Sequence, residues 1–121
     1  MTDLNGFARQ YIEVWNEPDA DVRRASIAKL FAEDAVHFSP SQEVRGHDEL
    51  AVRIENAYRQ WVEPGEHVFR SQDNATGHHN VMRFNWGMVR QSDGETISVG
   101  FDLFVLAEDG RIQADYQFVD R

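Results

Sequence analysis

A lone carboxylate in an apolar run is the first residue in this chain with chemistry in it. Asp102 stands inside Val99-Gly-Phe-Asp-Leu-Phe-Val105, flanked by Phe101, Leu103, Phe104 and Val105. The β-branched and aromatic content of the run predicts a strand with alternating side chains. An acid in such a strand has two settings. On the wet face of an antiparallel sheet it is a solvated charge. In a pocket, burial disfavours the charged form and raises the pKa. A carboxyl kept neutral near pH 7 can then donate a hydrogen bond, which is catalytically useful. The strand by itself favours the solvated setting, because structural acids outnumber catalytic ones.

Other candidates cluster on neighbouring segments. His37 and Ser39 are two apart in a short strand and share a face. An imidazole with a pKa near ~6.5 can serve as a base, although a satisfied, half-buried strand histidine is an equal reading. Near the C-terminus Asp115, Gln117 and Val119 share one face, and Ala114, Tyr116 and Phe118 the other. Asp115 is a pocket candidate or a surface charge. Trp15, Trp61 and Trp86 are core residues that can also line a pocket. Arg83 interrupts the apolar segment from Val81 to Val89, either exposed or paired with a pocket carboxylate. His78-His79 resembles a metal pair, but strand neighbours point to opposite faces and do not grip one ion. His47 and His67 read as surface or cap residues. With no cysteine, disulfides and thiolate chemistry are excluded, and zinc would need His and carboxylates alone. Neither a metal nor a cofactor is expected.

The elements that must position these groups follow from periodicity. Leu4, Phe7, Tyr11, Val14 and Trp15 fall on one stripe of a helix over residues 3–16, which Pro18 cannot continue. Asp19 or Asp21 can cap a second helix over 21–32, with Val22, Ile27, Leu30 and Phe31 inward. Val36-His-Phe-Ser39 is a short strand stopped by Pro40. A third helix opens at His47-Asp-Glu, carries Leu50, Ile54, Ala57 and Trp61 inward, and ends at Pro64-Gly65. The chain then changes character. Residues 67–79, 80–91, 96–107 and 111–119 read as four strands with Asp-Gly turns at 93–94 and 109–110. Helices first and a strand meander second predict an α+β domain, helices on one face of a curved antiparallel sheet.

The hairpin at 92–94 decides the pocket lining. A three-residue loop sets Asp102 opposite Phe84, with Met82, Phe84 and Trp86 lining the pocket. A two-residue turn sets it opposite Asn85, with Arg83 and Asn85 lining. One slip flips every side chain. The first register gives an apolar wall and is the preferred one.

Composition bounds the partners. The 121 residues fit one domain with one core, and 41% hydrophobic and 12% aromatic content can supply it. A formal net charge of −9 disfavours nucleic acid or an anionic membrane surface. No apolar run approaches the ~20 residues of a membrane span. The first residues lack the basic and apolar regions of a secretory signal. A cytoplasmic protein is the expectation.

The order of elements and several segments resemble the nuclear transport factor 2-like superfamily, which includes ketosteroid isomerase, limonene epoxide hydrolase and the SnoaL-type polyketide cyclases. The segments are Gln10-Tyr-Ile-Glu-Val-Trp-Asn-Glu-Pro-Asp19, Leu30-Phe-Ala-Glu-Asp-Ala35 with the strand ending at Pro40, Gly46 opening a helix, and Gly100-Phe-Asp-Leu-Phe104 with Asp109-Gly-Arg-Ile112. Together they cover nearly the whole chain as a single SnoaL-like domain over residues 1–121. The resemblance implies a cone: a cystatin-like curved sheet wrapped around N-terminal helices, with a pocket at the wide end. It implies that Tyr11 and Asp102 are the two oxyanion-hole donors of the ketosteroid isomerases and that Asp102 faces the pocket. Two departures stand against a direct transfer of activity. Ser39 occupies the position of the isomerases' proton-shuttling aspartate. Gln117 and Gly100 occupy the positions of the epoxide hydrolase's water-activating aspartate and its arginine.

The sequence therefore predicts a pocket for a small apolar molecule. Tyr11, His37 and Asp102 are its catalytic candidates, and Trp15, Ser39, Phe84, Trp86, Asp115 and Gln117 its lining. Acid–base chemistry on an apolar carbonyl-bearing or cyclic substrate competes with ligand binding or dimerisation without turnover. An inward Asp102 turns Ile97, Val99, Phe101, Leu103 and Val105 outward, which predicts a homodimer through the outer sheet face.

Overall fold

The computed structural model describes residues 3–121. Helix α1 (Leu4–Asn16) starts where the Asp3 carboxylate accepts from the Gly6 N–H at 2.9 Å. Its apolar stripe buries Ala8, Tyr11, Ile12, Val14 and Trp15. Asn16 ends the helix and docks it: its amide donates to the Phe69 carbonyl and accepts from the Phe69 N–H, both at 2.8 Å, as a strand partner would. Asp19 caps α2 (Ala20–Leu30) through the N–H groups of Asp21 and Val22. Arg23 of α2 is drawn inside, donating to the Glu17 carbonyl at 2.6 Å and to Glu55 at 3.3 Å, with its guanidinium over Tyr58. This ties α2 to α3 (Gly46–Ala57), which leaves a positive-φ Gly46 and runs into a π-helical turn, Tyr58–Val62.

The strands are β1 (Phe31–Phe38), β2 (Glu43–Arg45), β3 (His67–Ser71), β4 (Thr76–His78), β5 (Val81–Arg90), β6 (Thr96–Leu106) and β7 (Ile112–Val119). They form one sheet in the order β2-β1-β7-β6-β5-β3, with β4 also on β5. The sheet curls without closing, and α1 lies against its concave face. The α+β cone stands, with three local departures. The sheet is mixed, because β1 runs parallel to β7. Those two strands are joined by most of the chain and no tight turn, so nothing forces the antiparallel sense that a hairpin imposes. The second helix stops at Leu30 and Phe31 already belongs to β1, pairing Ile112. Helical and strand burial of Leu30-Phe31-Ala32 look alike over three residues. The expected single strand over 67–79 is two, divided at Asp73, whose φ of 55° leaves the extended region.

Asp102 pairs with Phe84. The preferred register is the one observed, reached by a different route. Residues 91–94 form a four-residue loop between Arg90 and Glu95, and a bulge at Ile97 between the Met88–Ser98 and Val89–Thr96 pairs restores the frame. The inner face of β5 and β6 then carries Met82, Phe84, Trp86, Gly100, Asp102 and Phe104, all buried. Phe101, Leu103 and Val105 turn outward, where Phe101 stacks on Phe118 at 4.5 Å and Arg83 lies over it. Arg83 is thus on the outer face, away from the carboxylates.

At the tip before β5, His79 adopts φ 55°, and the Nδ1 atoms of His78 and His79 lie 2.9 Å apart at the surface. The strict strand alternation assumed for this pair does not hold in the turn.

Candidate functional site

Each polar group of the site is placed by an apolar neighbour. In α1, Tyr11 sits on the same stripe as Ala8 and Trp15, and its ring packs 4.8 Å from Phe104, 5.8 Å from Phe84 and 6.0 Å from Phe31. That cluster pushes the phenol through the core toward the sheet. Strand alternation carries Asp102 inward between Gly100 and Phe104. A bulge at Gln113, between the Val105–Ala114 and Leu106–Ile112 pairs, turns Asp115 to the same buried side as Ile112. Gly100 is required by close approach: a Cβ there would collide with the Phe118 carbonyl and the Trp86 ring. The bare backbone leaves room for the Trp86 indole, which donates to Asp102.

The result is a continuous buried run of polar groups. The Trp86 Nε1–H donates to Asp102 Oδ1 at 2.8 Å. Tyr11 Oη lies 2.9 Å from Asp102 Oδ2 and 2.6 Å from Asp115 Oδ2. His37 Nδ1 lies 2.8 Å from the same Asp115 oxygen. His37, Asp102 and Asp115 are all 0% exposed and Tyr11 is 1%.

Burial decides where the protons are. Desolvation, followed by the charge of Asp115, holds the Asp102 carboxyl well above the usual carboxylate range. Desolvation lifts Asp115 less, to about 6, with the neighbouring Asp102 carboxyl, the Tyr11 hydroxyl and the field of Arg53 opposing the rise. Desolvation lowers His37 to about 4, so its imidazole is neutral at pH 7. Burial beside two acids holds the Tyr11 phenol well above its ordinary value. A hydroxyl has one proton to give. The arrangement that satisfies every short contact at neutral pH has Asp102 protonated on Oδ2 and donating to Tyr11. Tyr11 then donates to an ionised Asp115, which also accepts from the His37 Nδ1–H. Among the described residues, Asp115 Oδ1 and His37 Nε2 are buried without partners.

The run ends at a cavity of about 220 Å³. Tyr11 and Asp102 reach its wall, together with Trp15, Trp86 and Gln117 from the expected lining. His37, Ser39, Phe84 and Asp115 do not line it. His37 and Asp115 stand behind Tyr11 as its hydrogen-bonded support. Phe84 is core, packed on Tyr11 and Phe104. Ser39 spends its backbone on a turn with Gln42, and its buried hydroxyl has no partner among the described residues. Alternation along a strand identifies a face, but it does not say how far along that face the cavity extends.

The residue that sequence reasoning missed is Arg53. It lines the cavity, lies over Trp15 at 5.1 Å, and its Nη2 is 3.3 Å from Gln117 Oε1. Its signal was present: position 53 is three after Leu50 and four before Ala57, inside the apolar stripe of α3. A charge within such a stripe is aimed inward. The π-helical turn that follows delivers Trp61 to the same cavity.

His37, Asp102 and Asp115 could together present ligand atoms to a cation, since these atoms lie within 4.8 Å of one another. Tyr11 bridges the two carboxylates, and the cavity walled by Tyr11 and Asp102 does not reach His37 or Asp115. A metal would have to displace that bridge, and the donor set does not fit one without rearrangement.

Comparison with known proteins agrees with this architecture. The SnoaL-like domain model matches residues 8–114. The chain belongs to the SnoaL-like domain family. Among solved structures, a SnoaL-like protein from Agrobacterium tumefaciens, whose name proposes an isomerase, is 29% identical over the whole of both chains with a TM-score of 0.89. A protein from Sinorhizobium meliloti, whose name proposes a polyketide cyclase, is 16% identical over 96% of each chain with a TM-score of 0.72. A cystatin-like-fold protein from Methylobium petroleophilum is 17% identical over 98% of this chain and 76% of its own, with a TM-score of 0.73. The last two likenesses concern the fold alone. No protein with a curated description matches the sequence. As a SnoaL-like protein the chain has a known architecture and a family that hosts several chemistries, so its activity has to be argued from the site. Among its described residues no helix is long and apolar enough to cross a membrane.

Proposed function

We propose that this SnoaL-like chain binds a small, largely apolar, carbonyl-bearing or cyclic molecule and moves a proton on it. The observation that supports the reading is the Trp86–Asp102–Tyr11–Asp115 run, which brings a neutral carboxyl and a phenol to the wall of a cavity otherwise lined mostly by apolar side chains. A substrate oxygen beside Asp102 and Tyr11 would draw the hydroxyl protons of both, Asp102 turning its proton from Tyr11 and Tyr11 turning its own from Asp115, which keeps the His37 Nδ1–H. Negative charge developing on that oxygen is then met by two donors positioned at the wall, in a site of low dielectric.

The same groups can act in the reverse sense. As the Asp102 Oδ2–H proton moves to Tyr11, the phenol's own proton moves to Asp115 Oδ2. The negative charge passes to Asp102, leaving a carboxylate at the cavity wall. A carboxylate whose protonated form is favoured by burial is a stronger base than one in water. One proton shared by two carboxyls through a tyrosine thus supplies an acid or a base at one position. This removes the need for the aspartate that Ser39 replaces.

The test is the binding of phenols of graded acidity, followed by phenolate absorbance. The native protein is expected to bind the anion and lower the phenol's apparent pKa. Tyr11→Phe and Asp102→Leu should each weaken anion binding by about tenfold or more, in line with the cost of removing one such donor. Equal affinity and equal spectral shift in all three proteins would refute the donor role. Binding without turnover is the second reading, favoured by the absence of His37 and Asp115 from the cavity wall. Exchange of α-hydrogens of cyclic ketones in D2O, lost in Asp102→Asn, separates the two.

A further inference from the structure

We infer that the cavity has an anion-binding corner, formed by Arg53 and Trp15, and that its natural ligand carries a carboxylate on an aromatic or aliphatic body. This rests on the small-molecule reading above and goes beyond it by assigning the ligand a charge and a place to put it.

Two arginines of the chain are drawn into the protein, and they differ in how they are satisfied. Arg23 is 5% exposed and has a carbonyl at 2.6 Å, the Glu55 carboxylate at 3.3 Å and the Tyr58 ring beneath it. Arg53 has a long contact to Gln117 at 3.3 Å and the Trp15 ring at 5.1 Å. Its Nε is buried without a partner among the described residues. Among the described residues it forms no ion pair. A guanidinium offers five N–H donors in a planar fork suited to carboxylate. Trp15, over which it lies, is 4% exposed, and its indole N–H is also without a partner among the described residues. Buried indole N–H groups usually find an acceptor. Two unsatisfied donors, one of them charged, therefore occur on this pair, and both residues line the same cavity. Buried donors left open call for an explanation, and an acceptor arriving with the ligand is one for the Arg53 fork, which lines the cavity.

The remaining wall limits the rest of the ligand. Ile12, Ala57, Trp61, Phe69 and Met88 are apolar, and about 220 Å³ holds a single ring with a short carboxylate arm. Burial lowers the pKa of the Arg53 guanidinium, as expected for a cation desolvated without a contacting counter-ion. The competing account makes Arg53 a distant counter-charge for Asp115, whose pKa it lowers from outside contact. That account gives no ligand preference.

Paired probes distinguish them. 3-Phenylpropanoate and its primary amide match in shape and differ in charge. All three tryptophans of the chain line the cavity, so indole fluorescence reports occupancy. The native protein should bind the carboxylate about tenfold or more tightly than the amide. Arg53→Gln should bring that ratio to about one, with circular dichroism and the thermal melt as the control for folding. Arg53→Lys should give an intermediate ratio, because it keeps the charge and loses the fork. Three results would overturn the inference: equal binding of both probes to the native protein, an unchanged ratio in Arg53→Gln, or binding of neither probe at millimolar concentration. A carboxylate preference that survives alongside a failed phenol test would sink the proton-transfer reading alone. A phenolate response without a carboxylate preference would sink this inference alone.

Discussion

Replacing Tyr11 by Phe tests the proton arrangement directly, because it removes one oxygen from between two carboxyls and changes little else. The ring is held by Phe31, Phe84 and Phe104, so the aromatic packing persists. What is lost at neutral pH is a hydrogen bond to an ionised, fully buried Asp115 and an acceptor for the Asp102 proton. A hydrogen bond to a charged group contributes about 1.5–3 kcal/mol, and a neutral one about 0.5–1.5 kcal/mol. When Asp115 is neutral the substitution should therefore cost roughly 1 kcal/mol, and when Asp115 is ionised about 2–3 kcal/mol.

The pH dependence follows from the sign of the shift. The Asp115 pKa is raised from 3.8 to about 6 in the folded protein. Its contribution therefore favours folding at low pH and is lost as pH rises from 3.8 through 6. Without the Tyr11 donor the carboxyl rises further, by about one unit for each 1.36 kcal/mol of lost anion stabilisation, and the loss extends to higher pH. His37, lowered to about 4, works in the opposite direction. Its contribution is complete above about 6.5 and is lost as pH falls toward 4, but it is common to both proteins and cancels in the difference. Urea unfolding of native protein and Tyr11→Phe at intervals from pH 5 to pH 8 should show a stability gap that widens with pH. A gap that is flat, or narrows, would mean that Tyr11 does not donate to an ionised Asp115, and the proposed proton relay would lose its basis.

Asp102→Asn copies the neutral acid, accepting from Trp86 and donating to Tyr11. It should unfold within about 1 kcal/mol of the native protein at pH 7, whereas Asp102→Leu orphans both partners and should cost about 2–4 kcal/mol; equal losses would mean that the carboxyl is charged. Gly100→Ala would drive a methyl into the Phe118 carbonyl and the Trp86 ring, so thermal unfolding should show a loss of at least about 2 kcal/mol. An unchanged melting temperature would contradict that packing. The outer sheet face, with Tyr116 39% and Phe118 47% exposed beside Phe101 and Phe38, is proposed to pair two copies. Light scattering should give twice 14.0 kDa, and Phe118→Lys should give the monomer mass. A monomeric native protein at micromolar concentration would rule the pairing out.

Periodicity in the sequence was sufficient to place three helices before a strand meander and to set the stripe that buries Tyr11. The same logic set Asp102 against Phe84, because only that register gives β5 an apolar inner wall. These are local or near-local properties: a side-chain period, a turn, a capping acid. The parallel pairing of β1 with β7 was not legible, since strands so far apart in sequence carry no turn to declare their sense. Nor was the division of labour among the acids. Asp102, Asp115 and His37 are each ambiguous in their own strands. Their protonation follows from shared burial around one hydroxyl, and that desolvation exists only once α1 is pressed into the curled sheet. Arg53 shows the boundary between the two kinds of information. Its position within the α3 stripe, readable by counting, says that it points inward. That it arrives beside Trp15 with donors unspent depends on which side chains the other elements bring to meet it, because a hydrogen bond is satisfied by three-dimensional neighbours and not by sequence distance.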